Sequence, residues 1–589
     1  MAALSPEAGG PRPASGPGLP APGVAAVLLL AVLFVATQHP GVLTVPFVGD
    51  DYFSLDKTRD APFAVVWAPQ ALVSHFYRPW SRELHYWVLQ RLFGLRVEPY
   101  HAVSVALWAG IVALYFALVR RLAGGRVAAL ATAAAMTLAG WGVLIVWAQG
   151  TQDLWMMLFA LACFYAVVRG SVAWACAAQL LALLSKETAA LLPLMVFVLE
   201  WRVRRRTPGE ALRRAAPLAV VALAWAALHP LLGGRLWWPR LDPVLPGLHP
   251  GLAQIAARTL LAVLNLHALP APEAGWPGAL RTALPGVAGV LALAAWSLFA
   301  GAGREGPARG ATPQRAAAFG VAWALLGWAP LLMPTVAWHP YPILFGALGA
   351  WLALAVALVR APWPALALVA ALAVARASLA TTPSADWGTE WFQLRAARFS
   401  EAAHGALRRL RPTLPPHSRV FFSGVPGGVG LLPGDEESPP LRVWYRDRTL
   451  RAASWERYAP RQAGDSPGED VFLRFDFEGG WREVARGAQD VAAGRTAAPP
   501  WRADHERLAV ALSRGGDWAA AAAEYTKLAR AFPADATYPY YVGLALAVEG
   551  DSLGAADWIR AAAALPSADE EIRAAARALA PRVGSAGPR

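Results

Sequence analysis

Lysine is nearly missing from this 589-residue sequence: Lys57, Lys186 and Lys527 are the three lysines among 53 basic side chains. Codon usage in a GC-rich genome produces such a bias, so a lysine that survives it marks a position to inspect. Cysteine is as scarce. Cys163 and Cys176 both fall in apolar runs, which excludes a disulfide framework and a cysteine metal cluster. A strong basic leader and a clear A-x-A cleavage site are lacking too, so the apolar run from Val24 to Ala36 is predicted to stay as a first helix rather than leave as a signal peptide. Charged residues make up only 16% of the chain. In their place stand 56% hydrophobic residues and a mean hydropathy of +0.37, too apolar for an ordinary soluble protein. The net charge of +13 does not indicate nucleic acid, because the arginines cluster between apolar stretches instead of along one polar face.

Stretches of roughly 17 to 25 apolar residues can cross a bilayer as helices, the form that satisfies every backbone polar group there. Such runs recur up to Ala380, and the predicted fold is an all-α polytopic membrane protein with about eleven transmembrane helices in residues 24–380. Residues 1–23, rich in Pro, Gly and Ala with Arg12 as their one cation, read as a disordered cytoplasmic tail. Residues 39–99 form a long first loop. Arg120, Arg121, Arg126, Arg169 and the basic group from Arg202 to Arg214 follow alternate spans, which puts them all on the cytoplasmic side. The turns Gln149 to Asp153 and Ser185 to Glu187 then face the other side with the first loop. The run 254–269 carries Gln254, Arg258, Asn265 and His267, and reads as an interfacial or re-entrant helix as readily as a span. Taken as interfacial, it places Arg304, Arg309 and Arg315 inside and the C-terminal portion outside, in a multi-pass protein of the cell (inner) membrane.

From Thr381 the composition turns soluble. A helical stretch from Ser384 to Leu410 leads into strand-like runs at Arg419 to Ser423, Leu441 to Tyr445 and Val471 to Phe477, so residues 381–500 read as a small extracytoplasmic α/β module. In residues 501–582, Gly516-Asp517 returns as Gly550-Asp551 after 34 residues, the period of tetratricopeptide helix pairs. An ordinary helical hairpin is the plain alternative.

Chemistry concentrates in the outer turns. Asp50 and Asp51 lie just past the first helix, where adjacent carboxylates are costly unless something uses them. Sugar transfer to a hydroxyl needs such a base; a solvated helix cap is the alternative. Tyr77-Arg78-Pro79 follows on the same loop, with a guanidinium suited to a phosphate or an aspartate, or else an interfacial anchor. Lys186-Glu187 interrupts an apolar hairpin, with an ammonium suited to a lipid phosphate. Asp153 reads as an acceptor-orienting or cation-binding residue, and His339, beside Tyr341, as a phosphate contact; either can instead cap a helix. The run Gly234 to Arg240 reads as an interfacial anchor.

Asp50-Asp51, Tyr77-Arg78-Pro79, Pro99-Tyr100-His101, Gly150-Thr151-Gln152-Asp153 and Ser185-Lys186-Glu187-Thr188-Ala189 together resemble the GT-C glycosyltransferase superfamily, and within it the transmembrane-and-tetratricopeptide O-mannosyltransferases and their bacterial relatives. The likeness is specific over the first two hundred residues and loose in the later membrane half. It implies Asp50 and Asp51 as catalytic, and Arg78, Lys186 and Glu187 on the active side. One departure stands out: where the family usually has His-Pro-x-His-x-Glu, this chain runs from Leu138 to Val143 with neither His nor Glu. No metal ion or other cofactor is assigned on that account.

The expected activity is transfer of a monosaccharide, with inversion, from a polyprenyl-phosphate carrier to an extracytoplasmic protein or glycan acceptor. Asp50 or Asp51 is the expected base; Arg78, Lys186 and His339 are the expected phosphate contacts; Tyr77, Asp153, Glu187 and Tyr341 complete the expected pocket. The expected partners are donor, acceptor and lipid bilayer, with no nucleic acid. A non-catalytic envelope scaffold with a membrane anchor and partner-binding repeats is the alternative. A transporter fits less well, because the charges gather at outer turns and not at mid-membrane breaks.

Overall fold

The computed structural model describes residues 21–67, 77–229, 251–268, 271, 275–299, 312–332, 337–426, 437–484 and 499–583. Most of the expected N-terminal tail, His75 and Phe76, the run Gly234 to Arg240, Arg304 and Arg309 lie outside these residues. Two compact units are present: Met1–Phe47 with Lys57–Arg395, and Val48–Asp56 with Ala396–Arg589.

In the first unit, six helices among the described residues are long and apolar enough to cross a bilayer: Val97–Ala123, Ala148–Arg169, Pro208–Leu228, Trp276–Leu298, Pro313–Leu332 and Pro362–Thr381. A seventh arises if Gly125–Met136 and Gly140–Val146, bent by 66° at their junction, count as one span. Four shorter apolar helices are also present, Gly23–Gln38, Val172–Leu183, Leu252–Val263 and Leu344–Leu358; the third falls in the run that reads as interfacial or re-entrant. The apolar segment 188–201, within the region predicted to span, is subdivided: a 3-10 turn over Glu187–Leu191, a seven-residue α-helix Leu192–Val198 and a π-helical turn over Leu199–Val203. Pro193, lacking an N–H, fits the first turn of the middle piece. The basic groups keep company with helix ends. Arg126 donates to the carbonyls of Ser297 and Leu298, both at 2.8 Å, and Arg204 to that of Val167 at 2.7 Å.

Small residues let these helices approach closely, as membrane packing requires in the absence of a hydrophobic drive between them. A Cβ on Gly320 would lie 2.6 Å from the Gly349 carbonyl oxygen, and one on Gly327 would lie 2.7 Å from the Gly346 Cα. The bend at 137–139 has its own seal. Asn265 is buried, and its Nδ2 donates to the carbonyls of Thr137 (2.8 Å) and Leu372 (3.1 Å) while its Oδ1 accepts from the Ala139 N–H (2.9 Å). Its φ of 57° is tolerated by asparagine better than by most residues. The twelve-residue helix before it, Leu252–Val263, is too short to span and instead delivers this side chain. Asn265→Leu is expected to lower unfolding free energy by about 3 kcal/mol, since it leaves several buried backbone groups unpaired; thermal melts in detergent measure this.

The second unit holds a four-stranded sheet of order β2-β1-β3-β4, with β1 Arg419–Ser423, β2 Arg451–Ser454, β3 Asp470–Asp476 and β4 Gly480–Glu483. β1 runs parallel to β2 and β3, and β4 antiparallel to β3. Leu441 to Tyr445 is no strand but part of a helix, Pro439–Tyr445, because two prolines preset its first turn. The helix expected from Ser384 begins at Glu390 and ends at Leu410. Helices Pro499–Arg514, Trp518–Ala531, Thr537–Glu549, Ser552–Ala563 and Glu570–Val583 follow. Gly516 and Gly550, at φ 82° and 92°, each precede an aspartate that caps the next helix: Asp517 accepts the N–H of Ala520, and Asp551 that of Gly554. Sheet and helices share one core, in which Phe421, Trp455 and Phe472 pack with Trp501, Leu508, Tyr525 and Val542.

Candidate active site

Arg78 stands at the entrance to a π-helical turn, Pro79–Leu84, a geometry that recurs at functional sites. Two cross-links hold this turn against the one at Leu184 and Ser185. The Trp80 N–H donates to the Leu184 carbonyl at 3.2 Å, and the Ser81 hydroxyl donates to the Ser185 carbonyl at 2.8 Å. The guanidinium of Arg78 is thereby brought to Glu187, with Nε 3.0 Å and Nη2 2.7 Å from Oε2, and its Nη1 donates to Gln152 Oε1 at 2.6 Å. Burial opposes the charge on Glu187, but the adjoining guanidinium outweighs it and holds the carboxyl below its usual range. Burial likewise opposes the Arg78 charge, and Glu187 more than restores it.

Lys186 donates to both oxygens of Asp153, at 2.6 and 2.7 Å. Asp153 lies in the first turn of Thr151–Arg169, where a carboxylate also suits the helix dipole. The Lys186 Nζ lies 5.6 Å from the ring centre of Tyr341, within cation–π range. The structure therefore brings Arg78, Gln152, Asp153, Lys186, Glu187 and Tyr341 into one cluster of two cations and two carboxylates. Tyr77 points its hydroxyl to the Trp67 carbonyl at 3.1 Å and sets its ring edge-on to His229.

Asp50 and Asp51 belong to the second unit and open the helix Asp50–Thr58. They are not equivalent. Asp50 is exposed, whereas Asp51 is buried and accepts the Val48 N–H through Oδ2 at 3.0 Å. The next residue, Tyr52, receives hydrogen bonds from Trp444 (3.1 Å) and Ser400 (3.3 Å), and burial pushes its hydroxyl up to about 12.

Four features escaped the sequence reading. His339 pairs through Nδ1 with Asp386 at 2.6 Å, where a phosphate contact was expected. Trp147 and Trp387 pack edge-on at 5.9 Å, each also within about 6 Å of Tyr341. Lys57 meets Glu83 at 2.7 Å, and lysine scarcity was the signal that could have found it. His39, Arg376 and Glu390 form a buried triad with no sequence signal, being more than three hundred residues apart at the extremes. Among the described residues, no three His, Cys, Asp or Glu side chains group closely enough to hold a metal ion.

The class these observations define is a multi-pass membrane protein with paired, partly buried charges at the ends of apolar helices. No family model matches the chain, and no curated protein does. Among solved structures, it is similar to ArnT from Cupriavidus metallidurans bound to undecaprenyl phosphate, at 14% identity and a TM-score of 0.40, over 81% of this chain and 95% of that one. The apo state of the same protein compares at 16% identity and a TM-score of 0.38, with the same coverage.

Proposed function

We propose that this protein is a membrane glycosyltransferase of the GT-C type, moving a monosaccharide from a polyprenyl-phosphate carrier to an acceptor outside the cytoplasm. The observation that carries the reading is the cluster of Arg78 and Lys186, two cations held in place by Glu187, Gln152 and Asp153 beside Tyr341. Fixed cations at the end of an apolar helix suit a lipid phosphate and cost no reorganisation when charge develops on it. In this reading the acceptor hydroxyl gives its proton to a carboxylate, and its oxygen bonds to the anomeric carbon. The carbon–oxygen bond to phosphate breaks, and its electron pair leaves with the polyprenyl phosphate toward Arg78 and Lys186. A single displacement of this kind inverts the anomeric centre.

Asp50 is the proposed base, and Asp51 its neighbour that secures the turn through the Val48 N–H. Tyr77, Asp153, Glu187 and Tyr341 shape the pocket. The kinship proposed is with the O-mannosyltransferases that carry tetratricopeptide repeats. The α/β module and the repeated helix pairs, placed outside the inner membrane, would recruit the acceptor. Transfer from a synthetic polyprenyl-phosphate sugar tests the reading. Asp50→Asn is expected to lower the rate by about 10²-fold or more with little change in melting temperature, and Asp51→Asn to lower the melting temperature. Full activity of the double variant would remove the basis for the assignment.

A further inference from the structure

Next to the charged cluster, the same unit holds a group of side chains that the phosphate chemistry does not use. His339 is buried, 7% exposed, and its Nδ1 is committed to Asp386 Oδ1, which also accepts the Gly388 N–H at 2.7 Å. An ionised Asp386 accepts only, so Nδ1 carries the proton and Nε2 of the neutral ring is an acceptor. That Nε2 is buried and has no hydrogen-bond partner among the described residues. A second imidazole shares the condition: Nδ1 of His267 is buried and unpartnered among them, its ring 5.9 Å from Trp338 and within electrostatic reach of Asp386. Buried polar nitrogens left unpaired are costly and call for a partner, a water or a ligand hydroxyl.

The walls around them are aromatic. Trp387 is 40% exposed and its ring centre lies 4.1 Å from that of His339. The closeness requires glycine at the next position, since a Cβ on Gly388 would lie 2.5 Å from the His339 Cβ. Tyr341 stacks on His339 at 5.9 Å and packs on Trp387 at 6.0 Å, and its ring is the one that faces Lys186. An anion at His339 would meet the Asp386 carboxylate, so the phosphate expected there is disfavoured. A neutral ring with hydroxyls has the opposite fit: its C–H face lies on exposed indole, and its O–H groups donate to unpartnered imidazole nitrogens.

We propose that Trp387, His339 with Asp386, and His267 form a monosaccharide subsite that takes the sugar of the donor, with Tyr341 between it and the Lys186 end that takes the phosphate. This rests on the transferase reading and adds to it which side chains select the sugar. Asp386 is a positioning residue, acting through His339.

The test measures binding to the full-length protein in detergent. Probes are a synthetic polyprenyl phosphate without sugar, the same lipid phosphate bearing mannose, glucose or arabinose, and the matching methyl glycosides. The expected result is that one sugar-bearing lipid binds wild type more tightly than the bare lipid phosphate. Trp387→Ala and His267→Leu are expected to lose that advantage, about tenfold, the scale of one desolvated contact, while binding of bare lipid phosphate stays unchanged. Trp387→Phe, which keeps a ring, is expected to retain most of the advantage, and a melting curve for each variant identifies any that has failed to fold. An advantage that survives in folded Trp387→Ala and His267→Leu overturns the subsite, as does a wild type that prefers no sugar-bearing lipid. Variants that lose only methyl glycoside binding overturn the assignment to the donor. Wild type that binds neither lipid overturns the transferase reading and this one with it.

Discussion

Lys186→Met is expected to lower the rate of sugar transfer from a polyprenyl-phosphate donor by about 10²–10³-fold, the loss typical of removing one fixed group that stabilises developing charge. Methionine keeps the length and apolar stem of lysine, so packing changes little and the ammonium is what goes. A second effect accompanies it. Asp153 is only 10% exposed at its side chain and gives both oxygens to Lys186, so the single variant leaves a nearly buried carboxylate without its cation, a change that destabilises. The double variant Lys186→Met with Asp153→Asn separates the two. It is expected to recover melting temperature toward wild type while transfer stays down by about 10²-fold. Initial rates with a saturating donor and melting curves on the same preparations decide this. Wild-type rates in the folded double variant would show that Lys186 serves only to neutralise Asp153.

The parts of this site that were legible in sequence share one property: they are charges where a bilayer-spanning chain should have none. Ser185-Lys186-Glu187 interrupts an apolar hairpin, and desolvation makes such an interruption costly enough to need a reason. Asp153 and Arg78 were legible for the same cause. Asp386 and Trp387 were not, because Asp-Trp-Gly reads as any polar turn, and their pairing with His339 closes across 47 residues. The bend between Gly125–Met136 and Gly140–Val146 was invisible as well. Apolar content continues through it, and what imposes it is tertiary: a Cβ on Gly140 would lie 2.5 Å from the Pro340 carbonyl oxygen, and Asn265, distant in sequence, satisfies the opened backbone. Periodicity misled at Leu441 to Tyr445. A five-residue alternation suits a strand, but Pro439 and Pro440 set a helical first turn, and the segment buries Leu441, Val443 and Trp444 as a helix.

Glu390→Ala is expected to cost about 3–5 kcal/mol of stability, the range for leaving a buried counter-charge unpaired. Glu390 accepts from His39 Nδ1 at 2.7 Å and from Arg376 Nη2 at 3.0 Å, and all three residues are buried. Geometry fixes the protonation states. Arg376 Nη2 also donates to His39 Nε2 at 2.8 Å, so that nitrogen is a bare acceptor and the His39 ring is neutral. Burial lowers the His39 pKa, and Arg376 lowers it further against the pull of Glu390. Protonating the ring would set an N–H against the guanidinium. The contribution of neutral His39 is complete above its ordinary value of 6.5 and is lost as pH falls below that toward the lowered folded-state value. For Glu390, burial opposes ionisation but His39 and Arg376 prevail, so its pKa is depressed and its contribution declines only as pH falls below 4.5. Wild type is therefore expected to lose melting temperature steadily as pH drops from 6.5 to about 5, and His39→Gln, which has no ring to protonate, to lose less over the same window. Detergent melts at half-unit steps check both. An unchanged slope in His39→Gln would show that this triad does not set the acid sensitivity of the first unit.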